Sequence, residues 1–265
     1  PFTKKYLYFE DSVIEMTRNF EKKMKSSSLT LYVSGNVKTP FSVLLLRSIP
    51  NIHTLNTGQG FLQHDYSEDN LFNSTSNIND NFISIIELEE DDIFYYVYGI
   101  LHSEDYRDKY ANDLQKALPR IPEVKDKEKY VEIGRKLADL HLNYEDVPAY
   151  DGVNIVFKSD NPSFKVKKMK HPRRGQLDTI IFNEDIVITD IPERAYEYVV
   201  NGKPAIEWII DQYQVKKDKK SGIVDDPNEF SDNPKYIFNL LLSIINVSMQ
   251  TMDLVDSLPP LEIID

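Results

Sequence analysis

Cysteine is absent from this chain. That excludes disulfides, thiolate metal centres and thiol catalysis, and it fits the reducing cytoplasm. Glycine is scarce, 9 of 265 residues, against 16 tyrosines and 13 phenylalanines, so the fold is expected to be packed with aromatics and not dominated by loops. Long apolar runs are also lacking. The most apolar segment, Tyr236 to Val247, is interrupted by Asn239, Ser243 and Asn246 and falls short of the about 20 residues a membrane span needs. The sequence therefore reads as soluble, with no membrane partner. The start at PFTKKYLYF has neither Met nor leader and reads as part of a longer polypeptide.

Positive charge is missing from one stretch: no Lys or Arg occurs between Arg47 and Arg107, where eleven acids fall. Of 43 acids and 31 bases overall, net −12, removing those eleven leaves 32 against 31. The acidity is thus local. The segment Lys158 to Arg174 is the opposite, with Lys165, Lys167, Lys168, Lys170, Arg173 and Arg174 beside the single acid Asp160. A local basic stripe governs phosphate binding more than the whole-chain sum.

The residue pattern predicts an α+β fold with a strand-rich N-terminal part, central helices, a small β-element carrying a basic strand, and C-terminal helices. Residues 1–90 and 91–265 are expected as two regions of one compact unit. Tyr6–Phe9, Leu29–Val33 and Phe41–Leu46 are β-prone, and the polar stretch 64–82 reads as a long irregular loop. Ser103 is placed to cap a helix whose stripe is Tyr106, Tyr110, Leu114 and Ala117. Tyr130, Gly134, Leu137, His141 and Tyr144 form one face of the next helix. Strands are expected in NIVF, FKVKKMK, LDTIIFN and DIVIT between 153 and 188. Phe164 and Val166 then lie on one face and Lys165 and Lys167 on the other. Pro192 starts a short helix that Asn201-Gly202 closes, Pro204 starts another, and Asn233-Pro234 opens the last.

Catalytic motifs do not assemble. KKDKKSGIVDDPN (216–228) has the letters of a phosphate loop in the wrong order; it reads as a turn carrying Lys216, Lys217, Lys219 and Lys220. The five histidines form no HxH or HxxxH pair, and no GxSxG elbow is present. Asp160-Asn-Pro-Ser163 lacks the second Pro and the aromatic of an amino-methyltransferase tetrad. Asp225, Asp226 and Glu123 leave open a metal-dependent nuclease, and the acidic 65–92 segment leaves open a module that binds a basic partner.

Longer stretches carry a resemblance. IFYYVYGILHSEDYRDKYANDLQKALPRIP (93–122), GRKLADLHLNYE (134–145), IPERAYEYVVNGKPAIEWIIDQYQVKKDKKSGIVDDPN (191–228), the closing VDSLP and the opening PFTKKYLYF resemble the C-terminal specificity domain of type ISP restriction-modification enzymes. The resemblance implies a target-recognition domain for double-stranded DNA. It would work beside nuclease, helicase-like and adenine-N6 methyltransferase domains of the same polypeptide, with no catalytic residue, cofactor or metal of its own. Two departures stand out. FLQHDYSEDN (61–70) sits where the family has an apolar run, and Asp225 stands where it more often shows Asn, so Asp225 is assigned no base contact. Within this reading Lys165 to Arg174 is the first DNA-contact surface, and Gly222 and Pro227 shape a loop that offers Lys216 to Lys220 to a phosphate backbone. Arg107, Arg120, Tyr106, Tyr110 and His141 are read as packing residues, and the acidic block as facing away from the duplex.

Overall fold

The computed structural model describes residues 1–3, 29–34, 40–47, 50, 54–55, 58–65, 75–76 and 78–264. The chain forms two compact units. One comprises Thr3–Leu142 with Leu254–Asp265, the other Asn143–Asp253.

In the first unit, β1 (Thr30–Ser34) lies between β2 (Val43–Leu46) and β3 (Gly58–Leu62) in an antiparallel sheet, with Leu31 opposite Leu45 and Phe61. Every residue of β1 is buried, which its β-branched and aromatic composition suits. The strands expected from Leu29 and Phe41 are found here; the one expected at Tyr6–Phe9 lies outside the described residues. Inside the stretch expected to be irregular, β4 (His64–Asp65) pairs with β5 (Thr75–Ser76), and α1 (Asp80–Ile86) begins under an Asn79 cap that accepts the Asn81 N–H at 2.9 Å.

Helix α2 (Glu90–His102) follows, with Glu90, Asp91 and Asp92 in the first turn, where the helix dipole favours acids. Its partner is α5 (Lys127–Leu142). The two approach backbone to backbone at Gly99 and Gly134: a Cβ on Gly99 would lie 2.5 Å from the Tyr130 carbonyl oxygen, and one on Gly134 would overlap that of Tyr95. Around this crossing the sheet residues Leu31, Val33, Val43 and Leu45 share one core with Tyr96, Tyr98, Tyr130 and Leu137. The change from strand to helix near residue 90 is therefore a change of element inside one unit; the compact division falls at Leu142/Asn143.

The tyrosines fill this core because their hydroxyls reach its edge. Tyr96 donates to the Pro122 carbonyl at 2.6 Å, Tyr106 to Arg120 at 2.8 Å and Tyr130 to Pro259 at 2.8 Å, so each ring is buried without stranding a polar atom. Ser103 caps α3 (Glu104–Lys109) by accepting the Tyr106 N–H at 3.3 Å. The expected stripe does not run on to Ala117. The chain leaves helical geometry at Tyr110, α4 spans only Ala111–Leu114, and Ala117 is exposed.

The second unit holds the antiparallel sheet β6 (Asn154–Phe157), β8 (Ile186–Thr189) and β7 (Ile180–Ile181), in that order. In β8, Ile186 and Ile188 are buried while Val187 and Thr189 are half-buried, the alternation of a sheet with one covered face. A 3₁₀ turn at Glu193–Tyr196 starts after Pro192 as expected. Asn201-Gly202 does not close it. Both residues have positive φ, 52° and 74°, and join β9 (Val199–Val200) to β10 (Lys203–Pro204), the two-residue turn whose twist suits a hairpin. Pro204 precedes α6 (Ala205–Gln212), as expected.

Helix α7 (Tyr236–Asp256) begins after Asn233, whose side chain accepts the Lys235 N–H at 3.0 Å. Ile237, Leu240, Leu241, Ile244 and Met252 are buried along it. The helix is long and apolar enough to cross a bilayer, but 67% of its apolar window is buried within the protein; its hydropathy serves the core.

Candidate nucleic-acid interface

The lysines of 216–220 sit on a β-hairpin. β11 (Lys216–Lys217) pairs with β12 (Val224–Asp225), placing Lys216 opposite Asp225 and Lys217 opposite Val224. The loop between them winds around Asp218. Its carboxylate accepts the Ser221 N–H at 2.7 Å, the Ser221 hydroxyl at 2.9 Å and the Lys220 N–H at 3.0 Å, and these donors hold the Asp218 carboxyl below its ordinary range. Gly222, at φ 73°, lets its N–H return to the Asp218 carbonyl at 3.0 Å. The amides that would cradle a phosphate in a Gly-rich loop are thus already bound to Asp218. What the hairpin offers a ligand is side-chain charge: Lys216, Lys217, Lys219 and Lys220 are all exposed, with the Lys216 ammonium 3.0 Å from the Asp211 carbonyl.

The second basic group lies on the segment from Phe164 to Lys170. The segment buries Val166 and Met169, each 1% exposed, while Lys165, Lys167, Lys168 and Lys170 face out; the expected alternation holds through Lys167 and breaks at Lys168. It is not the strand that was expected, because at Lys165 and Val166 the backbone N–H and carbonyl groups pair with side chains in place of a neighbouring strand. Asn228 takes both groups of Val166, accepting its N–H at 2.8 Å and donating to its carbonyl at 2.9 Å. Asn183 donates to the carbonyls of Ser163 and Lys165 at 2.6 and 3.0 Å. Only Lys170 forms a β-bridge, with Ile181.

These bonds bring the two lysine groups together although they are far apart in sequence. The N–H of Val215, the residue before Lys216, donates to the Lys167 carbonyl at 2.9 Å. Asn228, just past the hairpin, is oriented by Asp226, which accepts both its N–H at 2.9 Å and its amide at 2.6 Å. Asp226 also caps the 3₁₀ turn Pro227–Glu229. Its Oδ1 is therefore engaged in orienting Asn228, and the Asp225 backbone pairs within the hairpin ladder. Glu123 belongs to the first unit, where it meets Lys127 at 3.4 Å. Among the described residues, no group of three or more His, Asp or Glu side chains is arranged to hold a metal ion.

Arg173 and Arg174 occupy a different feature, the loop 171–179. His171 fixes its base, with Nδ1 2.9 Å from the Thr179 carbonyl and Nε2 2.7 Å from the Glu207 carboxylate. Tyr196 donates to the Leu177 carbonyl at 2.8 Å, and the Ile191 N–H to that of Asp178 at 3.0 Å. Gly175, at φ 81°, turns the chain at the exposed end. Both arginines line an open groove with Gln176, Asp178, Ile191 and Glu193.

Of the residues read as packing, Tyr106 and His141 are buried, with His141 Nδ1 2.7 Å from the Tyr98 hydroxyl, Tyr110 is half-buried, and the Arg107 Nε donates to the Leu101 carbonyl at 2.7 Å. Arg120 is exposed and does not pack as expected. Three organising residues give no sign of their role in the sequence. Asn228 lies inside the SGIVDDPN stretch but reads only as turn chemistry, and neither Asn183 nor His171 carries a local signal.

An α+β unit that presents exposed cationic side chains on backbones fixed from within has the form of a binding module. The chain belongs to the Type ISP C-terminal specificity domain family, whose model matches residues 1–240. It is similar to the Type ISP restriction-modification enzyme LlaGI, solved as a nuclease-deletion mutant in complex with a DNA substrate mimic: identity is 56% over 91% of this chain and 22% of that one, with a TM-score of 0.80. It is also similar to the ATP-dependent Type ISP enzyme LlaBIII bound to DNA, at 51% identity over 91% of this chain and 16% of that one, TM-score 0.83. A DrdV–DNA complex shares the fold at 24% identity over 96% of this chain and 27% of that one, TM-score 0.81. This chain thus spans about a fifth of the LlaGI and LlaBIII chains it matches. No curated protein matches it.

Proposed function

We propose that this chain recognises a target sequence in double-stranded DNA for a Type ISP restriction-modification enzyme. It positions methyltransferase and motor-nuclease domains of the same polypeptide on that site and performs no reaction itself. The observation that carries the reading is the joining of two lysine groups by Asn228 and Val215 into one exposed cationic face, in a chain whose family relatives were solved with DNA. Lys165, Lys167, Lys168 and Lys170, with Lys216, Lys217, Lys219 and Lys220, would contact phosphates and release counterions.

The test is binding by the full-length enzyme as a function of salt. Replacing Lys165, Lys167 and Lys168 with Ala, or Lys219 and Lys220 with Ala, should flatten the slope of log affinity against log salt. The change should be about one unit for each phosphate left without its lysine. Affinity should fall similarly on specific and scrambled duplexes, because phosphate contacts carry no sequence information. An unchanged slope in both sets would remove this face from the interface.

A further inference from the structure

We propose that the groove formed by the loop 171–179 reads base edges, with Arg173 and Arg174 as guanine contacts, while the lysine face beside it holds phosphates. This division of the basic residues rests on the DNA-binding reading above.

Charge type separates the two surfaces. On the lysine face cations outnumber acids, with eight lysines beside Asp218, Asp225, Asp226 and Glu184, the last 3.2 Å from the Lys167 ammonium, a balance that suits the uniformly anionic backbone of a duplex. The groove is mixed, because Arg173 and Arg174 share it with the carboxylates of Asp178 and Glu193. Those carboxylates repel a phosphate. Base edges in the major groove, by contrast, present both donors and acceptors, and a G·C pair offers guanine O6 and N7 to an arginine and the cytosine amino group to an acid.

The choice of side chain agrees. A guanidinium is a planar fork that meets O6 and N7 of guanine together, whereas an ammonium is a point charge. The cations of this loop are arginines, and those of the joined face are lysines. Among the described residues neither guanidinium is held in an ion pair, and both are exposed.

Rigidity completes the match. Reading a base requires a fixed origin, since a group displaced by about an ångström no longer meets its partner squarely. The loop is held by the Lys170–Ile181 bridge, by His171 on Thr179 and Glu207, by Tyr196 on Leu177 and by Ile191 on Asp178. Gln176, which could read adenine, already donates toward the Thr179 hydroxyl at 3.4 Å and is not assigned a base.

The test pairs protein and DNA changes in the full-length enzyme, once its site has been read from methylated positions in modified DNA. Each guanine of the site is replaced singly by 7-deazaguanine, which lacks the N7 acceptor. Affinities are measured for the wild type, Arg173→Lys and Arg174→Lys. At one guanine the replacement should weaken wild-type binding about 5- to 100-fold. The matching Arg→Lys variant should show that loss already on the natural site and lose little more on the modified one. Lysine keeps the charge, so affinity for scrambled DNA and the salt slope should stay at wild-type values, and the melting temperature should not move. Arg→Lys variants that bind the site as the wild type does would overturn the inference. So would losses that simply add to every guanine replacement, or a site without guanine. The lysine-face experiment reads the salt slope, and this one reads coupling at fixed salt. An enzyme that binds DNA without the coupling therefore refutes only the base-reading role.

Discussion

Asn228 holds the backbone of Val166 from both sides, accepting its N–H at 2.8 Å and donating to its carbonyl at 2.9 Å. The amide substitutes for one residue of a missing strand, and Asp226 keeps it turned the right way. Asn228→Asp is nearly isosteric, but it sets a carboxylate oxygen against the Val166 carbonyl and leaves that buried carbonyl without its donor. The variant should be destabilised by about 1–3 kcal/mol, and DNA affinity should fall because the two lysine groups lose their common anchor. Calorimetry and a binding titration check this; an unchanged melting temperature would refute the anchoring role.

The crossing of α2 and α5 leaves no room for a methyl group. Gly134→Ala would drive its Cβ into the Tyr95 carbonyl, part of a helical backbone and not a flexible side chain. Overpacking of this kind costs about 1–3 kcal/mol or more. Alanine favours helix over glycine by only about 1 kcal/mol, so the net effect should be loss of stability. Denaturant unfolding of Gly134→Ala measures it directly, and a stabilised variant would mean the helices can part at no cost.

Acid should weaken the fold through two buried histidines. His141 is pushed down to about 3 by burial and by the nearby Arg107 guanidinium, and His102 well below its ordinary range by burial, Arg107 and His141. Burial and Arg107 thus keep both rings neutral, with the Tyr98 hydroxyl 2.7 Å from His141 Nδ1; the His102 Nδ1–H, which donates to the Tyr98 carbonyl at 2.8 Å, works against the shift without cancelling it. In the unfolded chain they take up a proton near pH 6.5. Between about 6.5 and the depressed folded values the unfolded state therefore binds more protons, and stability falls as pH falls. For each histidine the loss approaches about 1.4 kcal/mol per pH unit, or roughly 2 kcal/mol at pH 5. His141→Gln keeps an acceptor for Tyr98 and should remove about half of this dependence in urea titrations at pH 7 and pH 5.

Gly222 separates backbone strain from crowding. Its φ is 73°, and a Cβ there would meet nothing within 4 Å, so any cost of substitution is conformational. Gly222→Val should destabilise the hairpin by about 1–2 kcal/mol, whereas Gly222→Asn should be nearly neutral because Asn tolerates this region. Lys219→Ala with Lys220→Ala should change stability by no more than about 0.5 kcal/mol. Melting curves of the three variants rank them, and equal behaviour of Val and Asn would show that the loop does not depend on its left-handed residue.

Much of this arrangement is legible in the sequence where a local signal is strong. Pro204 before α6, Ser103 at the start of α3 and the one-faced spacing of Tyr130, Gly134, Leu137 and His141 in α5 each act within a few residues. Asn201-Gly202 misleads because a turn with two positive φ values ends a helix or joins two strands with the same letters, and only the pairing of Val200 with Lys203 decides. The alternation in FKVKKMK marks the buried and exposed sides as far as Lys167, but neither the break at Lys168 nor the absence of a strand. Alternation reports which side is covered; the hydrogen-bond partners are Asn183 and Asn228, which no periodicity connects to it. The lysine groups can be found separately in sequence. That they adjoin depends on the bond from Val215 to Lys167 and on the two bonds between Asn228 and Val166.

Because side-chain amides from elsewhere in the unit grip the backbone at Ser163, Lys165 and Val166, the outward residues of this segment take little part in holding it. A neighbouring strand would tie each position to its partner through cross-strand side-chain pairs. Amide clasps instead recognise only the peptide group, which is the same whatever residue carries it. The outward positions 165, 167 and 168 can therefore change identity while their path in space persists. The cost of replacing a lysine there then falls on the charge of the surface and not on the fold.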